Sequence, residues 1–310
     1  MPLDPFLAAK LHLIDGLRWD DPADPEAGRR FDAFFRDPAP WPEPEADTEE
    51  HTVPGPHGPV PIRVYRPRGR RPGPALLWLH GGGFRAGDLD MPEAHLVSAE
   101  LAARAGALVV SVGYRLAVDG VRYPVPVDDV RAAWQWLTGP EAPTYAGPPA
   151  LGGASAGAAL ALSAAIRLRD AGSASPPAAL LLAYPFAHFP VPVLDDDTAA
   201  LMRELPSILR FDTASIEDMV RNYVGRITEL PPAAMPGAAG LTGLPPTGIV
   251  LSELDDLRPS GDLLARQLTE SGVPTRTYLA AGMLHGHLNR TPSLAEVDRS
   301  LAFFATVLTG

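Results

Sequence analysis

Residues 149–170 read PALGGASAGAALALSAAIRLRD. The opening five are short and apolar, as a buried strand is. The run from Ser155 to Asp170 is rich in alanine and leucine, the composition of a helix. Gly153-Ala154-Ser155-Ala156-Gly157 joins the two with no loop and fits the pattern G-x-S-x-G. A serine on so sharp a strand-to-helix turn is forced into strained backbone geometry, so its neighbours must be small. Gly153, Ala156, Gly157 and Ala158 all are. Such a turn lifts the hydroxyl clear of the sheet at the positive end of a helix dipole. A serine before a helix is otherwise an N-cap, so the rest of the chain must decide.

Outward from this turn, strands and helices alternate. ALLWLH (75–80), ALVVSVGY (107–114), PAALLLAYP (177–185), PTGIVLSEL (246–254) and TRTYLA (275–280) read as strands. Helical patterns lie at 92–106, 125–139, 259–271 and 293–308, the first closed by Gly106 and the second by Gly139. Continuous apolar runs flanked by helices are what a mainly parallel sheet covered on both faces requires, so the fold class is α/β. Two short strands, HTVPG and PVPIRVYRP, precede this, joined by a Gly-Pro turn at 55–59. Asp37–Glu50 is acidic and proline-rich and reads as a linker or loop, and 5–17 and 28–36 read as amphipathic helices. Residues 186–235 break the rhythm with two helical pieces, near 198–204 and 213–224. They follow the C-terminal edge of a strand, where such sheets place their binding crevices. The expectation is one domain over 1–310, with a cap from about 1–45 and 186–235 over a core of about 46–185 and 236–310.

The chain of 310 residues has no cysteine, which excludes disulfides, thiolate metal sites and a cysteine nucleophile. Its net charge of −11, from 26 basic and 37 acidic residues, argues against a nucleic-acid partner. No apolar stretch approaches the ~18–20 residues that span a bilayer. The N-terminus lacks the basic leading segment of a secretory signal. A cytoplasmic protein without a membrane span is expected.

His80-Gly81-Gly82-Gly83 follows the strand ALLWLH. Successive glycines let backbone N–H groups approach a ligand oxygen with no Cβ in the way. Acyl transfer needs such donors where the tetrahedral oxyanion forms, and Ala156, just after the serine, supplies another. Phosphate cradling is the other use, but no G-K-[ST] follows. A nucleophilic serine needs a base, and the base an acid to orient it. Only His285 and His287 follow a plausible acid beyond the serine; Asp255 and Asp256 follow the strand TGIVLSEL, giving the chain order Ser, Asp, His. Residue spacing does not choose within either pair, and His-x-His beside two carboxylates is also a metal-binding pattern.

On these motifs the chain resembles the hormone-sensitive-lipase-like branch of the α/β-hydrolase esterases, the bacterial lipolytic family IV, from about residue 45 to the end. His80-Gly81-Gly82-Gly83-Phe84 resembles its oxyanion motif, with His80 and Gly81 as supporting residues, and Tyr114-Arg115-Leu116-Ala117 its strand-end signature. Asp255-Asp256-Leu257-Arg258 resembles its Asp-Pro-Leu-Arg, which implies Asp255 as the acid, and His285-Gly286 its His-Gly-Phe, which implies His285 as the base. The resemblance implies Ser155 as nucleophile and Gly82, Gly83 and Ala156 as oxyanion donors. It implies a carboxylesterase of short- to medium-chain acyl esters with no cofactor or metal, and a homodimer is compatible with it. Four departures from the family pattern stand out: Ala154 for an acidic residue, Val118-Asp119 for Pro-Glu, Asp256 for proline and His287 for an aromatic. The same machinery also suits amide or peptide cleavage, and the fold also serves non-catalytic binding of small molecules.

Other features read plainly. The basic run Arg66–Arg71 and the aspartates Asp195–Asp197 read as solvated turns. At least one of Trp134 and Trp136 belongs to the core. Trp19, Phe31, Phe34, Phe35 and Trp41 are the candidates for apolar contact with substrate, against helix packing as the default.

Overall fold

Eight strands form one sheet in the order β1-β2-β4-β3-β5-β6-β7-β8 in the computed structural model, which describes residues 2–18, 24–69 and 73–310. Trp19, Arg70 and Arg71 lie outside the described residues. Along the chain the elements are α1 (Pro5–Ala8), α2 (Pro25–Phe35), β1 (Ala46–Val53), β2 (Val60–Pro67), β3 (Ala75–Leu79), α3 (Pro92–Ala105), β4 (Leu108–Val112) and α4 (Val125–Leu137). Then follow β5 (Ala150–Ala154), α5 (Ala156–Asp170), β6 (Leu180–Ala183), α6 (Asp196–Arg203), α7 (Thr213–Val224), β7 (Thr247–Leu254), α8 (Arg258–Glu270), β8 (Thr275–Leu284) and α9 (Ala295–Thr309). β1, β2 and β4 pair antiparallel; every pairing from β4 through β8 is parallel.

Strands β3, β4, β5 and β6 are buried along their whole length, the physical reason their sequences run apolar without alternation. Successive residues of β3 feed opposite layers. Leu77 and Leu79 pack with Val130, Trp134 and Leu160, whereas Leu76 and Trp78 pack with Leu101, Leu301 and Phe304. Trp134 is the core tryptophan of α4. Parallel strands end together, so the C-terminal tips of β3, β5, β7 and β8 converge on one edge.

Two local expectations change. The acidic segment expected as a loop becomes strand from Ala46 onward, paired residue for residue with β2, and its carboxylates meet arginines on or just beyond that strand. Asp47 pairs with Arg68 at 2.6 Å, Glu49 with Arg66 at 2.8 Å and Glu50 with Arg63 at 2.5 Å. An edge strand held by charge pairs has no apolar alternation to betray it. The single helix expected over 5–17 is a short helix capped by Asp4, followed by a 3₁₀ turn at Leu11–Leu13. Lys10 turns its ammonium onto the carbonyls of Phe34 and Arg36, which ties this turn to the end of α2. Asp195, the first of the three aspartates, N-caps α6 through the Thr198 N–H at 2.8 Å.

Candidate active site

Ser155 sits between β5 and α5 at φ 52°, ψ −117°, a left-handed conformation that a non-glycine residue holds only under constraint. The constraint is the turn itself: the Ser155 N–H donates to Ala183 O at 2.9 Å, and α5 begins at the next residue. Its side chain makes no N-cap bond. The hydroxyl instead lies 2.8 Å from His285 Nε2, while His285 Nδ1 lies 2.7 Å from Asp255 Oδ2. The other Asp255 oxygen accepts from the Leu257 N–H at 2.8 Å, which fixes the carboxylate.

The members of each ambiguous pair separate. His287 is buried between Ser252 Oγ (2.9 Å) and Ser300 Oγ (3.0 Å), and burial pushes it down to about 3, so its ring is neutral. Asp256 turns away from the imidazole and accepts from Arg210 and from the Phe211 N–H. Around His285 stand the Tyr184 and Phe211 rings, each edge-on with centroids 4.9 Å away.

The glycine loop after β3 is held from below. Tyr114 donates to the carbonyls of His80 (2.8 Å) and Gly81 (3.1 Å) and stacks on the His80 ring at 4.4 Å. The Ala117 N–H donates to Phe84 O at 2.7 Å, so Tyr114–Ala117 is the brace for this loop. Gly82 takes φ +103°, and a Cβ there would lie 2.1 Å from Ala86 O, which excludes any side chain. Among the described residues, the N–H groups of Gly82, Gly83 and Ala156 donate to no protein acceptor. These three donors are left unused among the described residues.

Beneath the loop lies a carboxylate that the residue patterns do not mark. Glu93 is 1% exposed. It accepts from the Gly81 N–H at 2.6 Å, the Tyr184 hydroxyl at 2.5 Å and Asn289 Nδ2 at 3.2 Å. Burial raises its pKa, against the lowering pull of these donors and of His285. It sits in the first turn of α3, where an acidic residue ordinarily faces water, so composition alone carries no cue to it.

The described aromatic candidates of the N-terminal segment pack elsewhere. Phe34 and Phe35 lie under the Arg290 guanidinium at 4.9 and 4.7 Å, and Trp41 donates to Glu100 at 2.8 Å. Besides Tyr184, the ring that reaches His285 is Phe211, between α6 and α7.

Residues 76–289 match a family model described as the alpha/beta hydrolase fold. The chain belongs to the α/β-hydrolase family. Within it the hydrolase falls among the hormone-sensitive-lipase-like carboxylesterases, and its activity is ester hydrolysis. It is 36% identical to Carboxylesterase NlhH of Mycobacterium tuberculosis, over 84% of this chain and 82% of that protein. It is 33% identical to Esterase LipI of the same organism, over 86% of this chain and 84% of that protein. Among solved structures, the hydrolase resembles a hyperthermophilic esterase from Pyrobaculum calidifontis with a TM-score of 0.82 at 30% identity, covering 100% of this chain and 98% of that one. Among the described residues no helix is long and apolar enough to cross a membrane.

Proposed function

We propose that the hydrolase cleaves short- to medium-chain acyl esters through Ser155, His285 and Asp255, with Gly82, Gly83 and Ala156 as the oxyanion hole. The observation that carries this is the unbroken chain Ser155 Oγ–His285 Nε2–His285 Nδ1–Asp255 Oδ2 at 2.8 and 2.7 Å. His285 takes the serine proton as Oγ attacks the ester carbonyl. The carbonyl oxygen becomes an oxyanion facing the three N–H groups, and one such donor is worth about 2.7–4 kcal/mol of barrier. The imidazolium then protonates the leaving alkoxide, leaving an acyl-serine. Water, deprotonated by the same imidazole, releases the acid and regenerates Ser155. Residues 1–45 and 186–235 act as the cap in this reading. Met219, whose Sδ lies 2.8 Å from where a Gly83 Cβ would stand, narrows the approach over the glycine loop, which supports short acyl chains.

The direct test is hydrolysis of p-nitrophenyl acetate, butyrate, octanoate and palmitate, alongside labelling by a fluorophosphonate. The acetate and butyrate are expected to turn over fastest, with one label per chain, lost in Ser155→Ala. An unlabelled, inactive wild type that is folded would sink the reading.

The pH profile follows from the same geometry. Burial by itself lowers the His285 pKa, but the charge and hydrogen bond of Asp255, helped by Glu93 and Asp256, outweigh it, and the net shift is upward. The base must be neutral to accept the serine proton. Activity is therefore expected to fall on acidification through a pKa above the ordinary ~6.5 of imidazole. In Asp255→Asn the acid limb of kcat/KM moves to lower pH. An acid limb in Asp255→Asn that stays put would mean that another group controls it.

A further inference from the structure

Asp256 stands beside the acid of the triad but makes no hydrogen bond to His285. Its Oδ2 accepts from Arg210 Nε at 2.8 Å and from the Phe211 N–H at 2.8 Å, and its Oδ1 accepts from Arg210 Nη2 at 2.9 Å. The remaining Arg210 nitrogen, Nη1, donates to Met202 O at 2.5 Å, at the end of α6. The carboxylate is 8% exposed and the guanidinium 24%, so the pair is shielded from solvent and its two-pronged geometry is fixed. The result is a bridge from the turn after β7 to the segment between α6 and α7, and it ends on the residue whose ring lies against His285.

The mechanism gives that ring its meaning. His285 delivers its proton to the departing alkoxide, so the alcohol half of an ester must lie beside the imidazole. A ring seated on the imidazole edge bounds that space. Resting on the ester-hydrolase reading above, we propose that Asp256 is a positioning residue, which grips Arg210 and the Phe211 N–H so that Phe211 forms the wall met by the alcohol half of the substrate. Leu205 and Ile208, 5% and 3% exposed, anchor the same segment through apolar packing. Losing the clamp therefore frees Phe211 without unfolding the segment. The isosteric Asp256→Asn does this, since it turns one acceptor into a donor facing a guanidinium. Arg210→Lys keeps the charge but loses the fork.

The experiment separates the two halves of the ester. Ethyl and benzyl acetate vary the alcohol on one acyl group; p-nitrophenyl acetate and hexanoate vary the acyl group on one alcohol. Asp256→Asn, Arg210→Lys and Phe211→Ala are each expected to move the benzyl-to-ethyl ratio of kcat/KM about tenfold towards benzyl, chiefly through KM. The acyl ratio stays within about twofold. Adding Asp256→Asn to Phe211→Ala produces no further shift, because the effect runs through the ring. An unmoved alcohol ratio in folded Asp256→Asn, a shift in the acyl ratio instead, or additivity in the double variant each overturns the proposal. Should Asp256→Asn fail to accumulate as folded protein, Arg210→Lys decides by the same ratios. A wild type that cleaves none of the four esters overturns the ester-hydrolase reading and this proposal with it. An active wild type with an unmoved ratio overturns this proposal alone.

Discussion

Ser155→Ala and His285→Ala each lower kcat/KM for p-nitrophenyl butyrate by about 10⁴–10⁶, and Asp255→Asn by about 10⁴. The magnitude follows from the three groups working as a unit. Without Oγ there is no acyl-enzyme. Without the imidazole, the hydroxyl 2.8 Å away keeps its proton at neutral pH. With asparagine at 255, the amide can present a donor to Nδ1, which favours the tautomer that leaves the Nε2 proton pointing at the serine. The double variant Ser155→Ala/His285→Ala is therefore hardly worse than either single change. What remains over water comes from the oxyanion donors and from binding. Purified variants with wild-type circular dichroism, assayed against the uncatalysed rate, give the numbers. Residual activity within about tenfold of wild type in either alanine variant would show that the triad does not carry turnover.

Gly157→Ala destabilises the protein by about 3 kcal/mol or more, enough to lower Tm by roughly 6–12 °C. A Cβ at Gly157 would lie 2.3 Å from His80 O and 2.4 Å from Leu79 O. Both are backbone atoms at the tip of β3, so no side-chain rotation relieves the clash. The elbow and the glycine loop are thus wedged together, and forcing them apart moves the oxyanion donors away from Ser155 as well. The reference is Gly172→Ala, at the end of α5: its φ of +62° is unfavourable, but a Cβ there meets nothing within 4 Å. That change costs about 1 kcal/mol from backbone strain alone. Thermal unfolding of the two variants separates crowding from strain, and a Gly157→Ala protein no less stable than Gly172→Ala would contradict the contact.

Much of this architecture is legible in the sequence because its causes are local. Buried parallel strands require uninterrupted apolar runs, such as Ala75–Leu79 and Leu180–Ala183. A helix that ends in a left-handed residue selects glycine, as at Gly106 with φ 62°. The edge strand β1 escaped because its outward side chains are carboxylates that meet arginines of the next strand, which leaves no apolar alternation on one strand alone.

The site divides along the same line. The sequence by itself determined the chemistry: a serine between small residues on a strand-to-helix turn, a glycine loop after the preceding strand of the sheet, and a carboxylate and a histidine later in the chain. Each of these is a demand of local geometry on residue type, so it is written in consecutive residues. Residue spacing left both pairs open and the family resemblance implied Asp255 and His285; only the tertiary structure decided that these side chains and Ser155 meet in one chain of hydrogen bonds, that Glu93 supports Gly81, and that Phe211 lies against the base. Those outcomes depend on where side chains point once strands far apart in the chain lie side by side. Neighbouring residues of one turn point in different directions, and contacts that span anything from 12 to 130 residues obey no spacing rule that a linear sequence can display.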